Sequence, residues 1–235
     1  MTTLSLVRSH WALVVGLLFC PTSESSAATF TYNFTGSVIQ VSSGTSPIAL
    51  GQKWNGSFTY ETQPPNTHPF FGPPSASYAW YFGALSNLQF NITTVGNAPI
   101  YSATATDGDL QVLNNSGSDQ FWVYGSPAKG LVGAAVGGRP LVEAYIRLLD
   151  NSQTALSTAL SLPTALTLSQ FTNGTVYLGW SGGGSAFAYG LIETLTLASS
   201  PAAVPVPAAL PLFAGGLGVL AFLARRRKQK ETAAA

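Results

Sequence analysis

Alternating hydrophobic and polar positions dominate residues 29–198. In residues 30–35 aromatic side chains alternate with threonine and asparagine, and the same period of two recurs in residues 88–92. A period of two predicts strands with one buried face. Further strands, separated by Gly, Asn, Asp and Pro, are predicted at Ile100–Ala105, Leu110–Leu113, Gln120–Tyr124, Leu141–Leu149, Thr175–Trp180 and Ala186–Leu197. About nine short strands favour two antiparallel sheets packed as a β-sandwich, of jelly-roll or Ig-like type.

Two segments depart from the simple strand pattern. Residues 141–149 also suit helical spacing, so a short helix is the alternative to the favoured strand. The segment Gln63–Ser77 contains five prolines around Phe70 and Phe71, which is incompatible with a central strand. We expect a stiff loop there, and it is the first candidate for a recognition loop.

The N-terminal residues have the composition of a secretory signal peptide. Residues 1–8 carry one basic side chain, residues 11–19 are apolar but too short to span a bilayer, and Ser26-Ala27-Ala28 has the small-x-small pattern of a cleavage site. We expect signal peptidase to cut after Ala28. The chain's single cysteine, Cys20, would be removed with residues 1–28, so no disulfide is expected in the exported module, residues 29–198.

The C-terminal residues predict a membrane anchor. A linker of small residues and prolines, residues 199–207, precedes an apolar run at residues 208–224 that is just long enough for a transmembrane helix. The next four residues are basic: Arg225, Arg226, Arg227 and Lys228. Basic residues stay on the cytoplasmic side, so the tail 225–235 is expected inside and the module across the inner membrane.

The same tail carries a recognisable order of motifs. Val204, Pro205, Val206 and Pro207 precede the apolar run, and the basic cluster follows it. This order resembles the VPxPA form of the PEP-CTERM sorting signal. The resemblance implies that an exosortase, a membrane-embedded cysteine protease, processes the precursor and delivers the protein to the cell surface or the extracellular matrix, and that the β-rich module has no assigned activity.

Charge distribution excludes one class of partner. Residues 29–198 contain four bases, Lys53, Lys129, Arg139 and Arg147, against seven acids, which gives a formal charge of −3 although the whole chain has +1. Nucleic-acid binding requires clustered Lys and Arg on one face. We therefore expect no nucleic-acid partner.

Catalytic and metal-binding patterns are weak. His68 is the only histidine after the signal peptide, and a solvated surface group is the favoured interpretation. A secreted hydrolase using Glu61, Glu143 or Glu193 is kept as an alternative, because glycoside hydrolysis uses paired carboxylates. The oxygen-rich stretch from Asp107 to Asp119 fits turns better than a calcium loop. We expect no enzyme activity, no cofactor and no metal site.

Aromatic residues provide the candidate ligand site. Tyr78, Trp80 and Tyr81 follow the proline-rich segment, where exposed rings could bind sugars. Trp122 with Tyr124 and Tyr177 with Trp180 lie on later predicted strands, and most of these rings are expected inside the core. The sequence thus predicts an exported surface or matrix protein with a structural or adhesive module, and a module that binds exopolysaccharide is the alternative.

Overall fold

The computed structural model describes residues 28–62, 66–67, 75–181 and 186–199. Two short 3-10 helices occupy Pro127–Lys129 and Leu168–Gln170. The strands are β1 Thr29–Val41, β2 Lys53–Glu61, β3 Asn66–Thr67, β4 Tyr78–Thr93, β5 Pro99–Ala105, β6 Gly108–Leu113, β7 Asp119–Gly125, β8 Val132–Gly133, β9 Leu141–Asp150, β10 Asn173–Trp180 and β11 Ala186–Ser199. The predicted strands are confirmed to within a few residues, and residues 141–149 form a strand rather than a helix.

The predicted β-sandwich is wrong, because the strands form one closed antiparallel barrel of eight strands. The order around the barrel is β2-β1-β11-β10-β9-β7-β6-β4, and pairing between β2 and β4 closes the ring. A sandwich would leave two separate sheets with free edges, whereas here each long strand has a neighbour on both sides. Jelly-roll and Ig-like arrangements are excluded for the same reason.

Strand β4, which is 16 residues long, closes the ring because it pairs with β2 and with β6. Its first half pairs with β6, and its second half pairs with β5 on the same edge. The register shifts between Tyr81 and Leu85, next to Gly83, whose φ of 67° is readily adopted by glycine. Thus β5 and β6 share one edge of β4, and β6 continues the ring to β7.

The barrel interior is filled by large side chains. The inward positions of each strand alternate with polar outward positions, as in β1, where Tyr32 and Phe34 are buried and Asn33 is exposed. The largest fully buried residues include Trp54, Phe58 and Trp180. An eight-stranded barrel has an interior just wide enough to be filled in this way.

One end of the barrel is covered by the segment between β9 and β10. Five of its side chains are buried: Leu156, Ala159, Leu162, Leu166 and Phe171. Three interior tyrosines bind its backbone: Tyr32 Oη accepts from Leu166 N at 2.9 Å, Tyr60 Oη donates to Pro163 O at 2.5 Å, and Tyr81 Oη donates to Ala159 O at 2.5 Å. We call residues 151–172 the plug segment, because it closes this end with both apolar and polar contacts.

Several predicted features lie outside the described residues. They are residues 1–27 of the predicted signal peptide, most of the proline-rich segment, the sorting motif, residues 208–224 predicted as a transmembrane helix, and the basic tail. Within the described ranges, no helix has the length and apolar character needed to cross a membrane. Asn66 and Thr67 of the proline-rich segment pair with Phe82 and Tyr81 of β4.

Candidate functional site

The predicted ligand-binding residues are divided between the two sides of β4. Tyr81 points into the barrel and is only 3% exposed, with its hydroxyl bound to the plug segment. Tyr78 and Trp80 alternate to the outer side and are half-buried. Trp80 stacks on Phe82 with ring centroids 5.7 Å apart. The structure therefore places Tyr81 in the core, while Tyr78 and Trp80 remain on the outer surface.

A larger aromatic surface lies on the outside of β7, β9, β10 and β11. Cross-strand register sets Tyr124 opposite Tyr145, Tyr145 opposite Tyr177, and Tyr177 opposite Tyr189. Trp122 and Phe187 flank this row. We call these six residues the aromatic face: Trp122, Tyr124, Tyr145, Tyr177, Phe187 and Tyr189. All six are partly exposed.

The rings of the aromatic face stack on one another. Tyr145 and Tyr177 lie parallel, with centroids 4.7 Å apart and an interplanar angle of 11°, and Phe187 stacks on Tyr177 at 6.0 Å. Trp122 contacts Tyr145 at 5.1 Å with a tilt of 53°. Trp122, Tyr145, Tyr177 and Phe187 thus form a connected group of rings at the centre of the face. Such cross-strand pairs stabilise the sheet.

Two charged side chains of β9 border the aromatic face. The Arg147 guanidinium lies 5.1 Å from the centroid of the Trp122 ring, a cation–π contact. Its Nε atom is buried and has no hydrogen-bond partner among the described residues. Glu143 lies on the same side of β9, close to Tyr177. Burial raises the pKa of Tyr177 to about 12, with the Glu143 carboxylate adding to the effect, so this hydroxyl remains a hydrogen-bond donor at physiological pH.

The carboxylates considered for hydrolysis lie in different surroundings. Glu61 ends β2 opposite Thr29, at the N-terminal end of β1. Glu193 accepts a hydrogen bond from Ser37 and forms an ion pair with Lys53 at 3.5 Å. Glu143 borders the aromatic face. The structure does not bring these three glutamates together, and His68 lies outside the described residues.

The oxygen-rich stretch from Asp107 to Asp119 does not form one cluster, because Asp107 and Asp109 lie at the start of β6 and Asp119 lies beyond its end. Lys129 Nζ lies 3.5 Å from Asp107 Oδ2 and 3.3 Å from Asp109 Oδ1, while Asp109 Oδ1 also accepts from Gly83 N. Asp119 begins β7 and accepts from Asn115 N and Leu156 N. Within the described part of the chain, no group of three or more His, Cys, Asp or Glu residues could hold a metal ion.

Asp150 anchors the start of the plug segment. This buried carboxylate accepts backbone hydrogen bonds from Ser152, Thr154 and Ala155 and further bonds from the Ser152 hydroxyl. Asp119 lies opposite it in the register and accepts from Leu156 N at 2.9 Å. The two carboxylates therefore satisfy the backbone donors with which the plug segment leaves the barrel.

We expect stability to fall in acid because the unfolded chain takes up a proton at Asp150 that the folded protein does not. Hydrogen bonds from Ser152 first, then from Thr154, hold the pKa of Asp150 well below its ordinary value. A depressed folded-state pKa adds stability above the unfolded-state pKa, near 4, and this contribution is lost as the pH falls below that value. Urea unfolding at pH 7, 4 and 3 should show this loss. Asp150→Asn should be less stable at pH 7 and show a smaller decline; an unchanged decline would contradict the assignment.

Sequence reasoning missed four members of the site, one of which is Tyr189 in β11. Arg147, Tyr145 and Phe187 were not predicted there, although Trp122, Tyr124 and Tyr177 were noted as aromatic. Alternation along β9 puts residues 143, 145 and 147 on one side, which is a usable signal. Trp180, the fourth aromatic residue noted on these strands, is 2% exposed inside the barrel and contacts Tyr101.

Comparison with known proteins identifies no relative. No protein-family model, no curated protein and no solved structure matches the chain.

Proposed function

We propose that the protein is an exported component of the cell surface or extracellular matrix, and that its barrel is a structural and adhesive module rather than an enzyme. The main support for this proposal is that side chains fill the barrel interior. Trp54, Phe58 and Trp180 are among the side chains that fill it, and the plug segment covers one end. A filled interior leaves the outer surface as the place for contact with other molecules.

The loops at the other end support the same interpretation. Ile48, Leu131 and Val136 are buried there, and Tyr101 Oη donates to Ala134 O at 3.1 Å. Because protein interiors are close-packed, such a barrel provides a rigid body with little room for an internal ligand. Rigidity suits a protein whose role is to hold a surface contact.

The start of the first barrel strand and the end of the last one fit the proposed export route. Ala28, the expected cleavage position, directly precedes β1. β11 ends at Ser199, where the linker to the proposed sorting motif begins. Signal peptidase and an exosortase-like protease could therefore both act outside the barrel strands.

Intact mass of the cell-surface protein tests the proposed sorting. We would insert an affinity tag at Gly96, because the neighbouring Val95 is 76% exposed in the turn between β4 and β5. The protein would be recovered from a host with a sorting protease and from the matching protease-deletion strain. We expect a C-terminus near Pro207 only when the protease is present.

A motif variant provides the control for this experiment. Pro205→Ala with Pro207→Ala should retain the tail in both strains, since proline holds the segment extended for the protease. Retention of residues 208–235 by the unaltered protein in both strains would overturn the sorting proposal and leave an uncleaved surface protein.

A further inference from the structure

We propose that the aromatic face, together with Glu143 and Arg147, binds an acidic polysaccharide chain. The inference rests on the adhesive role proposed above and specifies its ligand class. It places binding on β7, β9, β10 and β11, away from Tyr81.

Continuity of the surface is the first argument. The row Tyr124, Tyr145, Tyr177 and Tyr189 crosses four neighbouring strands in direct register. Neighbouring strands lie about 4.8 Å apart, so the row is roughly 14 Å long. That length suits about three sugar units of an extended chain. Because Tyr145 and Tyr177 stack on each other and contact Trp122 and Phe187, the centre of the face is held in place before a ligand arrives, which lowers the entropy cost of binding.

Hydroxyl groups are the second argument. Tyr145 and Tyr177 are stacked and partly exposed, and each carries a phenol hydroxyl. Burial raises the pKa of Tyr145 and of Tyr124, so both hydroxyls stay protonated and can donate. The Glu143 carboxylate can accept bonds from sugar hydroxyls. This combination suits a polymer rich in hydroxyl groups.

Charge complementarity selects an acidic polymer. Arg147 has no carboxylate within 4 Å among the described residues, whereas Lys53 and Lys129 are both paired with acids. Contact with Trp122 holds the guanidinium at one border of the face. A guanidinium can bind a carboxylate through two parallel hydrogen bonds. A uronic-acid carboxylate is therefore assigned to Arg147.

Polarity of the face favours a glycan over a protein partner. Protein interfaces are enriched in aromatic residues and Arg, as this face is, but their buried centre is usually apolar. In the described ranges these four strands carry two exposed large aliphatic residues, Leu191 at 39% and Leu197 at 47%, and Leu197 lies near the far end of β11. The face instead presents hydroxyls, one carboxylate and one guanidinium.

Three polymers would test the inference on the purified full-length chain. Polygalacturonate carries a carboxylate on every sugar, its methyl ester has the same backbone without charge, and poly-glutamate carries carboxylates without sugars. We expect calorimetry to show binding to polygalacturonate at least about ten-fold tighter than to either of the other two. Arg147→Gln should weaken this binding about ten-fold, the scale of one charged hydrogen-bonded contact.

Two variants separate the site from general effects. Tyr177→Phe keeps the stacked ring and should weaken binding a few-fold by removing one hydroxyl. Arg139→Gln removes a cation from the loop after β8 and should leave affinity unchanged. Thermal unfolding would verify that each variant is folded.

Four outcomes would overturn the inference. Equal binding to the methyl ester would reject the acidic class, and equal binding to poly-glutamate would reject the glycan. An equal loss in Arg139→Gln and Arg147→Gln would reject the site. A folded protein that binds none of the polymers would reject the inference as a whole, whereas the sorting proposal fails only through the mass measurement.

Discussion

Replacing Phe58 by alanine is expected to lower the free energy of unfolding by about 3–5 kcal/mol. Phe58 is fully buried in β2 and stacks on Tyr32 at 5.4 Å, with Tyr60 and Phe121 within 6.5 Å. Removing the ring loses its transfer from water and leaves a cavity that surrounding strands cannot fill. Urea unfolding at neutral pH measures the change.

A matched truncation controls for this measurement. Val95→Ala also removes apolar atoms, but Val95 is 76% exposed, so its effect should stay within about 0.5 kcal/mol. Domains of this kind have a total stability of roughly 5–15 kcal/mol, so loss of the Phe58 ring could leave the protein partly unfolded. A loss below about 1 kcal/mol would mean that the barrel interior is not close-packed at this point.

Gly36→Ala is expected to cost about 3 kcal/mol or more. Gly36 lies in β1 where the register with β11 shifts, and a Cβ atom there would overlap the backbone carbonyl oxygen of Leu191. A backbone atom cannot move aside as a flexible side chain can, so β1 and β11 would have to separate. Thermal and urea unfolding both measure this loss.

Gly96→Ala is the control for the same substitution. A Cβ on Gly96 would meet only Thr94 Oγ1, at 3.7 Å, which is ordinary contact. We expect a change within about 0.5 kcal/mol. If Gly36→Ala were equally mild, the close approach of β1 to β11 would be wrong.

Strand positions were predictable because alternation is a local property. Tyr32 and Phe34 alternate with polar neighbours, and this period predicts both the strand and its buried side without knowledge of the partner. At residues 141–149 alternation favoured the strand that the structure shows, while helical spacing fitted the same residues. The burial of Trp180 follows from its position in β10.

Partner choice explains the main error in the predicted architecture. A barrel and a sandwich share the same alternation, so the pattern does not say whether β2 pairs with β4. The register shift of β4 near Gly83 and the pairing of β5 and β6 with one edge of β4 decide closure. Such contacts join residues far apart in sequence, and no local period encodes them.

The candidate site shows the same division. The sequence by itself determined the strands, their buried sides, the low charge of the module and the order of motifs at the chain's ends. Only the tertiary structure decided that the strands close into a barrel, that Tyr81 binds the plug segment, and that Tyr145, Tyr177 and Arg147 share one surface. The physical reason is that side-chain periodicity depends on neighbours along the chain, whereas closure and surface composition depend on which strands pair and in what register.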